Sequence, residues 1–325
     1  MKIPEKVKIP EKVIVITGPT ATGKTALGVE LCLRLGGEVI SADSMQVYRG
    51  MDIGTAKASP EEMRGVRHHM LDVAEPEEAF SVSRWVDGAA DCARDIFSRG
   101  KIPVITGGTG LYIDSLLSGR DFAPAASDGE LRERLGREYD ELGGAAFRER
   151  LAGVDPRRAG LLHPSDKKRL VRAMEVYLLT GETITGHDER TRLLPPRWPS
   201  ARFALGFSSR EALYERIDAR VDEMVRRGLF EEVRRLLRER GVPRDRPAMQ
   251  AIGYKEAAEY VDGRCTAREA AERIKLASRR YAKRQLTWLR RDPGLKWILW
   301  DGAPDAAAGA GSVADALRES GFLDL

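Results

Sequence analysis

Three cysteines are too few, and too widely spaced, to staple a chain of 325 residues. Cys32, Cys92 and Cys265 are odd in number and form no C-x-x-C pair, which argues for reduced thiols and against a zinc site. Long hydrophobic runs are missing too: no apolar stretch approaches the roughly 20 residues that span a bilayer, so no membrane contact is expected. The opening "MKIPEKVKIPEKV" has charges and prolines where a secretion signal needs an apolar run, and a cytoplasmic location is expected. Its doubled KIPEKV reads as a local duplication without assigned function. Net charge is nearly absent as well. The 54 Lys and Arg against 50 Asp and Glu leave +4, too little by itself to imply nucleic acid. Adjacent side chains point apart, so His68 and His69, with no other ligands near, are expected to be structural, and no zinc is expected. What remains is an ordinary soluble composition, 42% hydrophobic and 32% charged, long enough for about two domains.

What is present begins with "VIVITGPTATGKTALGVELCLRL" at residues 13–35. A β-branched run reads as a buried parallel strand, and Leu27, Leu31 and Leu35 recur at helical spacing. Between them Gly18, Pro19, Thr20, Ala21, Thr22, Gly23, Lys24 and Thr25 match G-x-x-x-x-G-K-[ST], a loop whose amides cradle phosphate oxygens. The helix start adds positive potential, Lys24 a full charge, and Thr25 a hydroxyl for Mg²⁺. "GGEVISADS" and "KIPVITGGTG" read as two further strands, with a helix over residues 80–100 between them. Strand–loop–helix units in series imply a parallel sheet flanked by helices, with ligands beyond the carboxyl ends of the strands.

From about residue 120 the pattern turns helical. "DKKRLVRAMEVYLLTGE" puts Leu170, Met174 and Tyr177 or Leu178 on one face, and no convincing strand returns until "ARFALGF". The expected organisation is a discontinuous α/β core at 12–119 and 201–301, a helical insertion at 120–200, and a tail at 302–325. Long helices are expected at 210–240 and 266–291, a late strand in "LKWILWDG", and a loose Ala/Gly tract before a last short helix.

One further absence bears on chemistry. Enzymes that hydrolyse ATP have an apolar strand ending in Asp beside the loop, but "PVITGGTG" ends in Gly107-Gly108-Thr109. The available acid is Asp43, one strand earlier, within the polar cluster Asp43, Ser44, Gln46 and Tyr48 expected to face the loop. That set suits a flat hydrogen-bonding base better than another phosphate, although Asp43 as a metal ligand or a cap remains open.

"GPTATGKT", "ADSMQVYRGMDIGTAK", "HHMLDV", "GGTGLY", "AIGYKE" and "AKRQLTWLRR", in this order, resemble the tRNA dimethylallyltransferase (isopentenyltransferase) family over about residues 13–300. The resemblance implies a P-loop NTPase-like α/β fold in which the loop holds the diphosphate of dimethylallyl diphosphate with Mg²⁺. It implies transfer of the prenyl group to N6 of the adenosine 3′ of the anticodon in tRNA. Asp43 would take the amine proton; Arg220, or Arg216 one turn earlier, would reach the diphosphate. Ser44, Met45, Gln46, Thr109, Gln250, Gly253, Lys255 and Gln285 fall in the tRNA-contacting motifs, with Gln250 standing where the family shows an arginine. No carboxyl-terminal zinc finger follows, as in the bacterial form, and a monomer is expected.

The target base must leave its stack to react, so basic side chains should surround the anticodon stem-loop. Arg132, Lys168, Arg169 and Arg172 supply these in the insertion. Residues 264–291 hold ten Lys and Arg against two Glu, including Lys283, Arg284 and Arg290, with Tyr281 and Trp288 interleaved. Trp288 and Leu289 read as core. Three rivals remain at this stage: a small-molecule or nucleoside kinase, an adenylate prenyltransferase acting on free AMP or ATP, and a non-enzymatic RNA-binding protein.

Overall fold

The computed structural model describes residues 11–119 and 128–323; the KIPEKV duplication and the expected boundary at 120 fall largely or wholly outside them. The chain divides into two compact units, Met1–Leu117 with Trp198–Leu325, and Ser118–Arg197.

The first unit is built on a six-stranded sheet in the order β3-β2-β4-β1-β5-β6, every pair parallel. β1 (Val13–Thr17) lies between β4 (Pro103–Thr106) and β5 (Ser200–Phe207) and is buried throughout. A strand covered on both faces needs a continuous apolar run, which is what VIVIT provides. β2 (Glu38–Ser41), the two-residue β3 (His68–His69) and β6 (Lys296–Trp300) complete the sheet. Its helices are α1 (Lys24–Leu35), α2 (Pro60–Met63), α3 (Val82–Ser98) and α4 (Gly110–Leu117), then α10 (Arg210–Arg226), α11 (Leu229–Arg234), α12 (Tyr254–Val261), α13 (Ala267–Leu289) and α14 (Ala306–Glu319). The second unit holds α5 (Gly129–Leu142), α6 (Gly144–Ala152), α7 (Pro156–Leu161), α8 (Lys167–Thr180) and α9 (Ile184–Arg192) around its own small core of Leu131, Leu135, Phe147, Leu151, Leu170 and Met174.

Three expectations are corrected. The Ala/Gly tract is the helix α14 itself, with Asp305 as its N-cap, and its Ala310, Val313 and Leu317 join the core formed by Ile14, Ile16, Leu27 and Leu31. Small side chains let it lie close on α1, so 302–325 is not a detached tail: Gly309 sits where a Cβ would be 2.6 Å from Leu27. The helix expected at 210–240 breaks at Gly228, whose φ of 98° leaves the helical region, and resumes as α11 and a short π-helical turn. Leu178 is 46% exposed, so Leu170 and Met174 carry the buried face of α8 without it.

Candidate active site

The loop after β1 carries the positive φ values that amide-cradling loops need: Gly18 at 144°, Gly23 at 83° and, unusually for a residue with a Cβ, Ala21 at 67°. Strained backbone of this kind persists only where its surroundings fix it. Three contacts do so: Thr22 Oγ1 donates to Pro19 O (2.8 Å), Trp300 Nε1 donates to Thr22 O (3.1 Å), and Thr20 N–H donates to Gln285 Oε1 (3.1 Å). Gln285 Nε2 reaches Gly108 O at 2.9 Å, so one buried amide ties the loop to the glycine pair after β4. That pairing explains the two glycines: a Cβ on Gly107 would stand 2.2 Å from Ala42 O, and one on Gly108 would stand 2.3 Å from Gln285 Nε2. Gln285, expected to contact RNA, instead spends both ends of its amide inside the protein.

Asp43 follows β2 and makes a turn on itself. Its Oδ1 accepts the N–H of Met45 (2.8 Å) and of Gln46 (3.3 Å), which fixes the carboxylate while leaving Oδ2 outside this turn. Ser44 N–H donates to Thr109 Oγ1 (3.1 Å), and Thr109 also hydrogen-bonds Tyr281, so Thr109 braces the turn. Tyr48 departs from expectation. Gln46 accepts from Ser41 Oγ (3.0 Å), donates to Thr55 O (3.2 Å) and Ala56 O (3.3 Å), and lines a small cavity with Thr25 of the loop, whereas Tyr48 is fully buried in the core. The physical reason is the turn at Asp43, after which the chain enters the core at Val47 and Tyr48, where Tyr48 bridges to Ala74.

Two cavities adjoin here. One, of about 300 Å³, is lined by Thr20, Asp43, Ser44, Met45, Arg284 and Gln285, by Gln250 and Gly253, and by an apolar wall of Ile217, Val221, Met224 and Ile274. The other, of about 650 Å³, is lined by Ala21, Gly23, Lys24, Thr25 and Arg216. Arg220 lines both. Its Nε is shielded from solvent without a partner among the described residues, and burial pulls its pKa down against the charges of Asp43 and Glu62. Arg216 is exposed, donates to Ala21 O (3.3 Å) and lies 5.8 Å from the Phe207 ring, so of the two arginines only Arg220 reaches both spaces. Lys24 donates to Pro19 O (2.6 Å); burial and then Arg220 lower its pKa to about 7, with Asp43 opposing. Two cations whose charge is disfavoured by burial thus stand beside the phosphate-cradling loop.

The remaining expected contacts scatter. Lys283 and Arg290 line a separate groove, and Lys255 lies 3.6 Å from Glu256. In the second unit Arg132 and Arg172 both pair with Glu175, a fully buried carboxylate whose desolvation demands cations, and Arg169 pairs with Asp166. Lys168 is exposed and has no ion pair among the described residues. His69 bonds Glu38 at 2.7 Å and His68 bonds Val66 O at 2.8 Å, structural roles both.

Glu232 and Tyr254 were not legible as site residues. Glu232, buried in α11, accepts the N–H groups of Asp52 (3.0 Å), Ile53 (2.8 Å) and Gly54 (3.1 Å) and the Tyr254 hydroxyl (2.5 Å). Gly54, Thr55 and Tyr254 form one wall of the first cavity, so this carboxylate holds that wall in place. Nothing in "LFEEVRR" marks Glu232, because three of its four partners are backbone groups 178 to 180 residues away and the fourth is a side chain 22 residues on. Glu232→Ala strands four donors, and a loss of about 2–4 kcal/mol of stability is expected in urea unfolding; an unchanged midpoint would show the clamp to be idle.

Among the described residues no cluster of three or more His, Cys, Asp or Glu could cage a metal. Thr25, which lines the second cavity beside Lys24, nonetheless fits Mg²⁺, an ion that binds through one or two protein oxygens and takes its other ligands from phosphate and water.

The parallel sheet, the strained cradle and the two adjoining cavities define a phosphate-loop α/β enzyme with a second cavity beside the loop. The chain belongs to the IPP transferase family, whose model matches residues 46–292, and a second model, Isopentenyl transferase, matches residues 11–78. It is 50% identical over 290 residues to the tRNA dimethylallyltransferase of Geobacillus kaustophilus, covering 89% of this chain and 90% of the relative. The crystal structure of the full-length tRNA isopentenylpyrophosphate transferase of Bacillus halodurans superposes with a TM-score of 0.69 at 40% identity, covering 97% of this chain and 99% of that one. A eukaryotic dimethylallyltransferase captured acting on tRNA superposes with a TM-score of 0.82 at 27% identity, covering 96% of this chain and 79% of that one.

Proposed function

We propose that this protein transfers the dimethylallyl group of dimethylallyl diphosphate to N6 of the adenosine 3′ of the anticodon in tRNA, releasing diphosphate. The observation that carries the reading is Arg220 spanning two cavities, one beside the phosphate cradle and one holding Asp43 against an apolar wall.

The donor's diphosphate lies against the loop amides, Lys24 and Arg220, with its prenyl group turned towards Ile217, Val221, Met224 and Ile274. The extruded adenine enters the same cavity from the side of Asp43, Ser44 and Met45. N6 forms a bond to C1 of the prenyl group as the C1–O bond breaks, and that electron pair leaves on the diphosphate. An exocyclic adenine amine is a weak nucleophile because its lone pair is delocalised, and Asp43 Oδ2 accepts the proton it sheds. Charge accumulates on the departing diphosphate, where preorganised amides and cations stabilise it most. Together with the diphosphate oxygens, Thr25 would hold Mg²⁺, which would supply further charge neutralisation when bound. Gln285 and Thr109 position the loop and Asp43 rather than touch the base. Lys168, Arg284, Gln250, Gly253 and Lys255 remain contacts for the RNA, whereas Arg132, Arg169 and Arg172 reach it only with the charge left over from their acidic partners.

Labelled dimethylallyl diphosphate incubated with the protein and either tRNA or AMP tests the reading. Label is expected in tRNA alone. Label in AMP would make the protein an adenylate prenyltransferase, and phosphoryl transfer from ATP, abolished by Lys24→Ala, would make it a kinase.

A further inference from the structure

A groove of about 520 Å³ lies apart from both cavities, between the start of α10, the last two turns of α13 and the edge strand β6. Arg210, Lys283 and Arg290 line it, with Tyr214, Trp297 and Leu299 between them and no acidic residue in the lining. None of the three cations has an ion pair among the described residues. Elsewhere on α13 the pattern differs: Lys275 pairs with Asp222 and Arg279 with Asp218, both acids on α10. The two cations of α13 that meet acids of α10 are thus paired, whereas the three in the groove are not.

The apolar part of the groove follows from the sheet. Strand residues alternate faces, so Ile298 and Trp300 pack into the core while Trp297 and Leu299 stand on the opposite face of the last strand. They lean over Gly206, whose missing side chain leaves room for the indole: a Cβ there would lie 3.3 Å from the Trp297 ring. Trp297 remains 36% exposed and Leu299 52%. A flat aromatic shelf ringed by open cations fits a strand whose planar bases stack while its phosphates pair. A second copy of this chain fits poorly, because a two-fold interface would set the same three cations against themselves.

We infer that this groove binds a single-stranded segment of the RNA outside the nucleotide that reacts. The inference rests on the reading that the protein acts on tRNA. Lys283 and Arg284 are neighbours on α13, one lining the groove and the other the cavity that holds Asp43. A phosphate backbone leaving that cavity along α13 therefore meets the groove next.

Trp297→Ala and Arg210→Ala, each in the full chain, test this, with tRNA affinity measured across a salt series. Trp297→Ala should weaken tRNA binding about fivefold or more, since stacking one base is worth about 1–3 kcal/mol. Trp297→Tyr should restore most of it, which a purely structural role of the indole would not predict. Arg210→Ala should flatten the log-log salt slope by roughly 0.7 for one lost phosphate contact. Affinity for dimethylallyl diphosphate should stay at the wild-type value in all three. Unchanged tRNA affinity and slope would overturn the inference. So would variants that lose only binding to vesicles of anionic phospholipid, or only self-association in sedimentation. If the wild-type protein binds tRNA yet leaves it unprenylated, the proposed function fails while the groove is still judged by binding.

Discussion

Asp43→Asn is expected to lose turnover by about 10²–10⁴-fold, a barrier increase of roughly 3–5 kcal/mol, while donor and tRNA still bind. The substitution is unusually clean because of the turn the residue makes. Oδ1 accepts two backbone N–H groups, and an asparagine carbonyl oxygen accepts the same two. The turn and the placement of Ser44 and Thr109 therefore survive, and only the basicity of the remaining oxygen is removed. Stability should stay within about 0.5 kcal/mol of wild type, as for changes that break no buried contact. Were Asp43 chiefly a Mg²⁺ ligand, the loss would appear in donor affinity and recover in part at high Mg²⁺. Were it only a turn residue, single-turnover chemistry would be near normal. Single-turnover rates and separate binding measurements on this one variant distinguish the three roles.

The parts legible in the sequence are those that local pattern dictates. The VIVIT strand, the phosphate loop, the capped helix after Thr266 and the late strand before Asp301 are each written in a contiguous stretch, and each is where it was expected. The family followed from motif order for the same reason. What escaped depends on partners distant in the chain. Gln285 sits in a basic stripe and reads as an RNA contact, yet its amide belongs to Thr20 and Gly108, 265 and 177 residues away. Arg132 reads as a free cation until the buried Glu175 is placed beside it. Tyr48 follows Asp43 closely enough to look like part of the same polar cluster, but one turn separates an exposed edge from the core. Composition misled at α14, where Ala and Gly read as looseness. Alanine is in fact the strongest helix former, and against α1 the same small residues also permit close packing.

Arg220→Met is expected to cost about 10²–10³-fold in kcat/KM, the scale of removing one preorganised stabiliser of transition-state charge. Its effect on the ligand-free protein should have the opposite sign. Arg220 Nε is shielded from solvent with no partner among the described residues, and burial disfavours the charge, so a well-packed apolar side chain of similar length should leave the melting temperature unchanged or raised. A third signature comes through Lys24, whose pKa is lowered to about 7 by burial first and Arg220 second. In the ligand-free protein a lowered lysine pKa means that the unfolded chain holds a proton which the folded one has lost. This group therefore adds stability as pH rises from about 7 towards 10.5, and adds none below. A bound diphosphate restores the charge, so binding above pH 7 takes up a proton. Donor affinity should be flat below that point and fall by up to tenfold per pH unit above it. Removing Arg220 takes away one cause of the depression, and the break in the affinity profile should move to higher pH. Lys24→Arg should abolish the break altogether, because a guanidinium stays charged throughout this range. Titration calorimetry in buffers of different ionisation enthalpy reads the proton uptake directly. A profile with no break in the wild type would detach Lys24 from the diphosphate. A larger loss from Arg216→Met than from Arg220→Met would hand the role to the neighbouring turn of α10.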